Sequence, residues 1–222
     1  MATPAVSYPQ VRSEWETISK VAEGFCLARF GDGELKLMYG KGYRREPGGR
    51  SLQMELLRVL QEPHPRCLVG IPTMDQDGPK FHSWIRHSDR YAQILRGDVV
   101  TYYSAFVTRP DSAPWIDTQD FAALVASTWA GKHAAVICEP GNKILKAVRL
   151  SAARSHHVRC PSNEAYSIID ALESSALAFS PDVILMSCGP TASCLANRFA
   201  ARGVHAIDIG SAGGYLLGLL MM

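Results

Sequence analysis

The sequence predicts an α/β fold of the Rossmann-like kind, a mostly parallel sheet with helices on both faces, formed as a single domain. Three observations carry this. The 222 residues suit one compact unit. Hydrophobic residues make up 47% and charged residues 20%, which is the composition of a soluble globular chain with a real core. Short apolar runs alternate with helix-patterned stretches along the chain, the rhythm of parallel strands joined by crossover helices.

Residues 1–13 are expected to be loosely ordered, which sets the domain at 14–222. Between Glu14 and Glu23, apolar Trp15, Ile18, Val21 and Ala22 recur at helical spacing. Phe25 to Phe30 is a short apolar run that ends at Gly31-Asp32-Gly33, and Glu34 to Tyr39 is helical again. A Gly- and Arg-rich loop, 40–49, precedes a helix over Ser51–Gln61 with Leu52, Leu56, Val59 and Leu60 on one face. Cys67 to Ile71 reads as a buried strand stopped by Pro72, Lys80 to Leu95 as mostly helix, and Val99 to Tyr103 as a strand with a competing helix signal. The second half repeats the pattern. A helix over 117–129 leads to a strand over 133–139, then a helix over 141–150 and a short strand near His157-Val158. A helix over 162–177 leads to the strand 182–187, a helix to Arg202 and a last strand over 204–208. No internal repeat or low-complexity segment appears.

A net charge of +2 with no basic stripe speaks against a dedicated nucleic-acid binder. The nearest cluster, Arg44-Arg45 with Arg50, sits in a Gly-rich loop and suits an anionic small molecule. None of the six cysteines forms a CxxC pair, and four lie in or beside apolar strands, so buried free thiols in a reducing compartment are expected. No signal peptide or membrane-spanning run is visible, and a cytoplasmic location follows as the expectation. The apolar Tyr215–Met222 segment packs by default on the core; covering a homo-oligomer interface is the alternative.

In open parallel sheets, ligands bind beyond the carboxyl ends of the strands. Three segments with chemistry fall there. In Arg29-Phe-Gly31-Asp32-Gly-Glu34, two carboxylates flank one glycine, an arrangement that suits a hard divalent cation, and Arg29 is placed to pair with phosphate. The plain alternative is a helix start with Asp32 as cap and Glu34 in the first turn. Gly189-Pro-Thr191 opens a helix after a buried strand and offers backbone N–H groups to an anion. Asp208, at a strand end, is a candidate general base, with Glu164 as a second. Asp75-Gln-Asp77 is a rival metal motif, and Lys80 just beyond it is placed to reach a diphosphate. Asp208-Ile-Gly-Ser-Ala-Gly213 imitates a methyltransferase cofactor loop without the strand that should follow, and is rejected. His82, His87, His133 and His156-His157 lack metal-ligand spacing.

The first of these segments resembles the signature opening of the GT-D type glycosyltransferases. Further matches follow in the same order: Val69-Gly-Ile-Pro72, the aromatic stretch ending Thr108-Arg109, Pro161-Ser-Asn163 with Ala165-Tyr166, Cys188-Gly-Pro-Thr-Ala192, and Ala206-Ile-Asp-Ile-Gly210. The likeness covers roughly residues 20–211. It implies transfer of a sugar from a nucleotide-diphosphate donor, a UDP-sugar, to a hydroxyl of a glycan or glycoconjugate acceptor. It further implies Mn2+ or Mg2+ at Asp32 and Glu34, and donor contacts from Arg29, Gly31, Lys80, Asn163, Gly189 and Thr191. Asp32, Glu34 and Asp208 become the catalytic set. The chain departs from the family after Gly210: Ser211 stands where His is common, and Gly213-Gly-Tyr-Leu216 replaces an acidic, aromatic tail. The alternatives are a metal-dependent hydrolase of nucleotide-sugars or sugar phosphates, and a non-catalytic nucleotide-sugar-binding domain.

Overall fold

The computed structural model describes residues 8–44, 46–74, 81–98 and 100–221. Ser13 starts the first helix, α1 (Glu14–Ala22), by a reciprocal cap: the Glu16 N–H reaches the Ser13 hydroxyl at 3.2 Å and the Ser13 N–H reaches the Glu16 carboxylate at 2.9 Å. The first half then runs β1 (Cys26–Arg29), α2 (Asp32–Met38), α3 (Arg50–Gln61), β2 (Cys67–Ile71), α4 (Phe81–Ala92) and β3 (Tyr102–Ser104). The second half runs α5 (Gln119–Ser127), β4 (His133–Cys138), α6 (Lys143–Arg149), β5 (Arg154–Arg159), α7 (Ile169–Leu177), β6 (Val183–Ser187), α8 (Thr191–Ala201), β7 (His205–Asp208) and α9 (Gly213–Leu220).

The strands form one seven-stranded sheet in the order β3-β2-β1-β7-β6-β4-β5, and every pairing is parallel. Side chains alternate across it. Cys26 and Ala28 of β1, with Ile184 and Met186 of β6, face the layer that holds α2, α3, α7 and α8. Leu27 and Val183, with Leu185, face the layer that holds α1, α5, α6 and α9. The sheet is therefore covered on both faces, which is why its inner strands are apolar throughout. All six cysteines are free and buried, as expected.

Three expectations change. Residues 8–13 are tied down rather than loose: Arg12 N–H bonds the Tyr102 carbonyl at 2.9 Å, Val11 bridges β3, and the Tyr8 hydroxyl donates to the Pro72 carbonyl at 2.7 Å. β3 begins at Tyr102, because that ring is fully buried and its hydroxyl bonds the Leu60 carbonyl at 3.1 Å. The stretch 162–177 is not one helix. Glu164 has φ 52°, a single 3-10 turn spans Ala165–Ile168, and regular α-helix starts only at Ile169. The apolar tail, by contrast, packs on the core as expected: it is helical, with Leu216 buried between α5 and α6.

Candidate functional site

The carboxyl ends of β1, β7, β6 and β4 open into one cleft of about 1000 Å³. The whole segment from Arg29 to Glu34 lines it, together with Gly189 and Pro190 after β6, and Asp208, Gly210 and Ser211 after β7.

At the start of α2 the two carboxylates do different work. Glu34 turns back, and its Oε2 accepts the Gly31 N–H at 2.7 Å, so it closes the first turn of the helix. Burial raises its pKa from 4.5 to about 7; Asp208 pushes in the same direction, while the Gly31 hydrogen bond and Arg29 oppose it. Asp32 is more open. It accepts from Lys36 at 3.3 Å and from the Tyr43 hydroxyl at 3.4 Å. The Tyr43 ring packs against Gly33, where a Cβ would come within 2.6 Å of it, so a side chain at this position would displace the ring. Lys36 and Arg44 stack over the same ring, at 4.8 and 5.1 Å from its centre.

Arg29 and Asp208 form a nearly buried ion pair, with Nη2 and Oδ1 3.3 Å apart. The Arg29 guanidinium also donates to the Thr108 hydroxyl and to the Ala105 carbonyl at 3.3 Å. It thereby joins the ends of β1 and β7 to the loop after β3. Asp208 Oδ1 takes the Gly210 N–H at 3.0 Å as well. Burial raises the Asp208 pKa against the opposing pull of Arg29. A carboxylate committed to two donors in this way is better suited to holding Arg29 than to collecting a proton.

The structure brings Arg29, Gly31, Asp32, Glu34, Gly189 and Asp208 to the cleft. Two expected donor residues do not reach it. Thr191 is fully buried with its hydroxyl unpartnered, because the first turn of α8 packs inward, and Asn163 is exposed outside the cleft lining. Glu164 shares that outside position. Lys80, Asp75 and Asp77 lie outside the described residues. No group of three His, Cys, Asp or Glu able to enclose a metal occurs among the described residues. Sequence reasoning missed Tyr43, Glu46, Arg109, Glu139, Asn142, Lys143 and Ser187, all of which line the cleft. Glu139 and Ser187 stand at strand ends, so the strand-end rule would have found them. Tyr43 had no comparable signal.

A family model described as glycosyltransferase GT-D fold matches residues 27–213. The glycosyltransferase GlyD of Streptococcus pneumoniae serotype 4 is 26% identical over 223 residues, which cover 90% of this chain and 26% of GlyD. A relative from Streptococcus gordonii is 27% identical over 213 residues, 85% of this chain and 30% of its own length. The chain thus spans between a quarter and a third of these relatives. A solved domain of unknown function 1792, described as having a distinct glycosyltransferase fold, superposes with a TM-score of 0.82 at 24% identity, over 97% of this chain and 83% of that one. A domain of the same kind from Streptococcus sanguinis, described as a new glycosyltransferase, gives 0.80 at 22% identity, over 96% of this chain and 85% of its own.

Proposed function

The chain belongs to the glycosyltransferase GT-D fold family, and from that premise we propose that it moves a sugar from a nucleotide-diphosphate donor, a UDP-sugar, to a hydroxyl of a glycan or glycoconjugate. The supporting observation is the cleft itself: every residue from Arg29 to Glu34 faces it, beyond the carboxyl ends of four neighbouring strands. Its volume of about 1000 Å³ has room for a donor together with part of an acceptor.

Asp32 and Glu34 would hold Mn2+ or Mg2+. The donor set fits: these are hard oxygen ligands, and two carboxylates leave most positions of the ion to phosphate oxygens and water, as Mg2+ in particular prefers. When bound, the cation would neutralise the charge that develops on the leaving diphosphate. The protein's own share is to orient the donor. Glu34 is fixed by Gly31, Asp32 is steadied by Tyr43 and Lys36, and the Gly189-Pro190 turn brings the start of α8 to the cleft. Arg29 faces the donor while clamped to Asp208 and Thr108, so it acts as a fixed positive charge rather than a mobile one.

The test is a melting series with UDP-sugars. Donor should raise the melting temperature more with Mn2+ than with EDTA. An equal shift in EDTA would overturn the metal-bridged reading.

A further inference from the structure

We propose that a pocket between α2 and α4, distinct from the cleft, binds a small dianion, inorganic phosphate. The inference does not rest on the transfer proposed above. The pocket holds about 190 Å³ and shares only Asp32 with the cleft lining. That volume is below the roughly 300–1,000 Å³ of sites for drug-sized molecules, so it suits a phosphate and not a nucleotide-sugar.

One wall is a single face of α2. Asp32, Leu35, Lys36 and Tyr39 stand at the three- and four-residue spacing that brings side chains together on a helix, and Leu35 among them is buried. The other wall comes from α4, through His87 and Arg90, and Lys41 borders the pocket just after α2 ends. The Tyr39 hydroxyl donates to the Arg90 carbonyl at 2.9 Å, which ties the end of α2 to the end of α4 and sets the gap between them.

Three cations, Lys36, Lys41 and Arg90, thus meet one carboxylate, Asp32, in a small recess. Lys36 is 3.3 Å from Asp32, in a pair open enough to solvent to exchange partners readily. Lys41 and Arg90 form no ion pair among the described residues. The cations of the cleft differ in this respect: Asp208 holds Arg29, and Asp111 holds Arg109 with two bonds of 2.8 and 2.9 Å. His87 registers the same surplus of charge. Its pKa is held below 6.5, first by burial and then by Arg86, with Arg90 and Lys36 adding to the effect and Asp32 opposing it. Lys36 and Arg90 each lie in the last turn of a helix, where a cation answers the dipole. That accounts for each one singly and not for all three closing on one recess. A phosphate there would take the guanidinium fork of Arg90 and the ammonium of Lys41, with Lys36 shared between it and Asp32.

The test is melting in EDTA with about 10 mM phosphate, against KCl of equal ionic strength. Wild type should melt about 2–4 °C higher in phosphate than in KCl. The double variant Lys41→Ala, Arg90→Ala should lose that difference. Lys146→Ala, which removes an exposed cation from α6, should keep it. In calorimetric titration, each single substitution, Lys41→Ala or Arg90→Ala, should weaken phosphate binding about tenfold. Wild type melting no higher in phosphate than in KCl, or a difference that survives in the double variant, overturns the site. If the double variant does not fold, unchanged phosphate affinity in both single variants overturns it. A last arm uses UDP with Mn2+. Any stabilisation it gives wild type should survive the double substitution; its loss there would make these cations part of the donor site and overturn a separate one.

Discussion

Glu34 meets two demands at once, closing a helix turn and facing a ligand cleft, and its proton shows the tension. In the folded chain it keeps that proton to about pH 7, against 4.5 ordinarily. Between those values the folded state binds more protons than the unfolded one, so stability falls as pH rises. The protonated group's contribution is complete below pH 4.5 and is lost as pH passes 7. The difference, about 7 less 4.5, corresponds to roughly 3 kcal/mol before solvent in the cleft reduces it. In EDTA, Glu34→Gln should therefore melt near wild type at pH 4.5 and above it at pH 8; a gap that ignores pH would mean the carboxylate is solvated. Asp32→Asn should leave the melt without ligand within about 1 kcal/mol and abolish the extra stabilisation that Mn2+ gives to donor binding. Unchanged Mn2+ dependence in both variants would move the metal elsewhere. Arg29 to Glu34 could be read from the sequence because the motif is contiguous and ends a strand. Tyr43 could not, since its place over Gly33 depends on how the loop folds back.

Among elements, α3, α7 and α8 are joined by Arg198. Its guanidinium grips Glu55 with two bonds of 2.6 and 2.8 Å and reaches Asp170 and Glu173 at 2.6 and 3.3 Å. Glu55 and Glu173 are both buried. Burial raises the Glu55 pKa, but the bonds from Arg198 and Tyr166 outweigh it and hold the group below its ordinary value. Arg198→Leu should thus leave charge buried without compensation and cost about 2–4 kcal/mol at pH 7, measured as the urea midpoint, with less loss at pH 4 where the carboxylates take up protons. An equal loss at both values would point to packing rather than charge. Elements were legible wherever apolar period decided them, as in α1, α3, β4 and β6. They were less so where tertiary contact overrode it. β5 is an edge strand whose Arg and His side chains hide its length, so only His157-Val158 stood out. α9 begins Gly213-Gly214, a poor helix start in isolation, and forms because its glycine fits against α6.

At the scale of the whole molecule, the order β3-β2-β1-β7-β6-β4-β5 was not legible at all, although its parallel character was. Strand order depends on which crossovers turn inward, and short apolar runs such as Cys26–Arg29 and His205–Asp208 carry no mark of their neighbour. The two are nonetheless adjacent, with Leu27 opposite Ile207. This fixes a timetable for biosynthesis. One side of β1 can find β2 early, but its other side stays without its partner until residue 208 has left the ribosome. At about 5–20 residues per second that is a wait of roughly 10–40 s, during which an apolar strand edge is open to any passing chain. Nascent chains halted after Gly203 should therefore be protease-sensitive and prone to aggregate, whereas the 222-residue chain should melt cooperatively. A soluble, cooperatively melting 1–203 fragment would show that α8, already packed across β1, guards that edge until the last strand arrives.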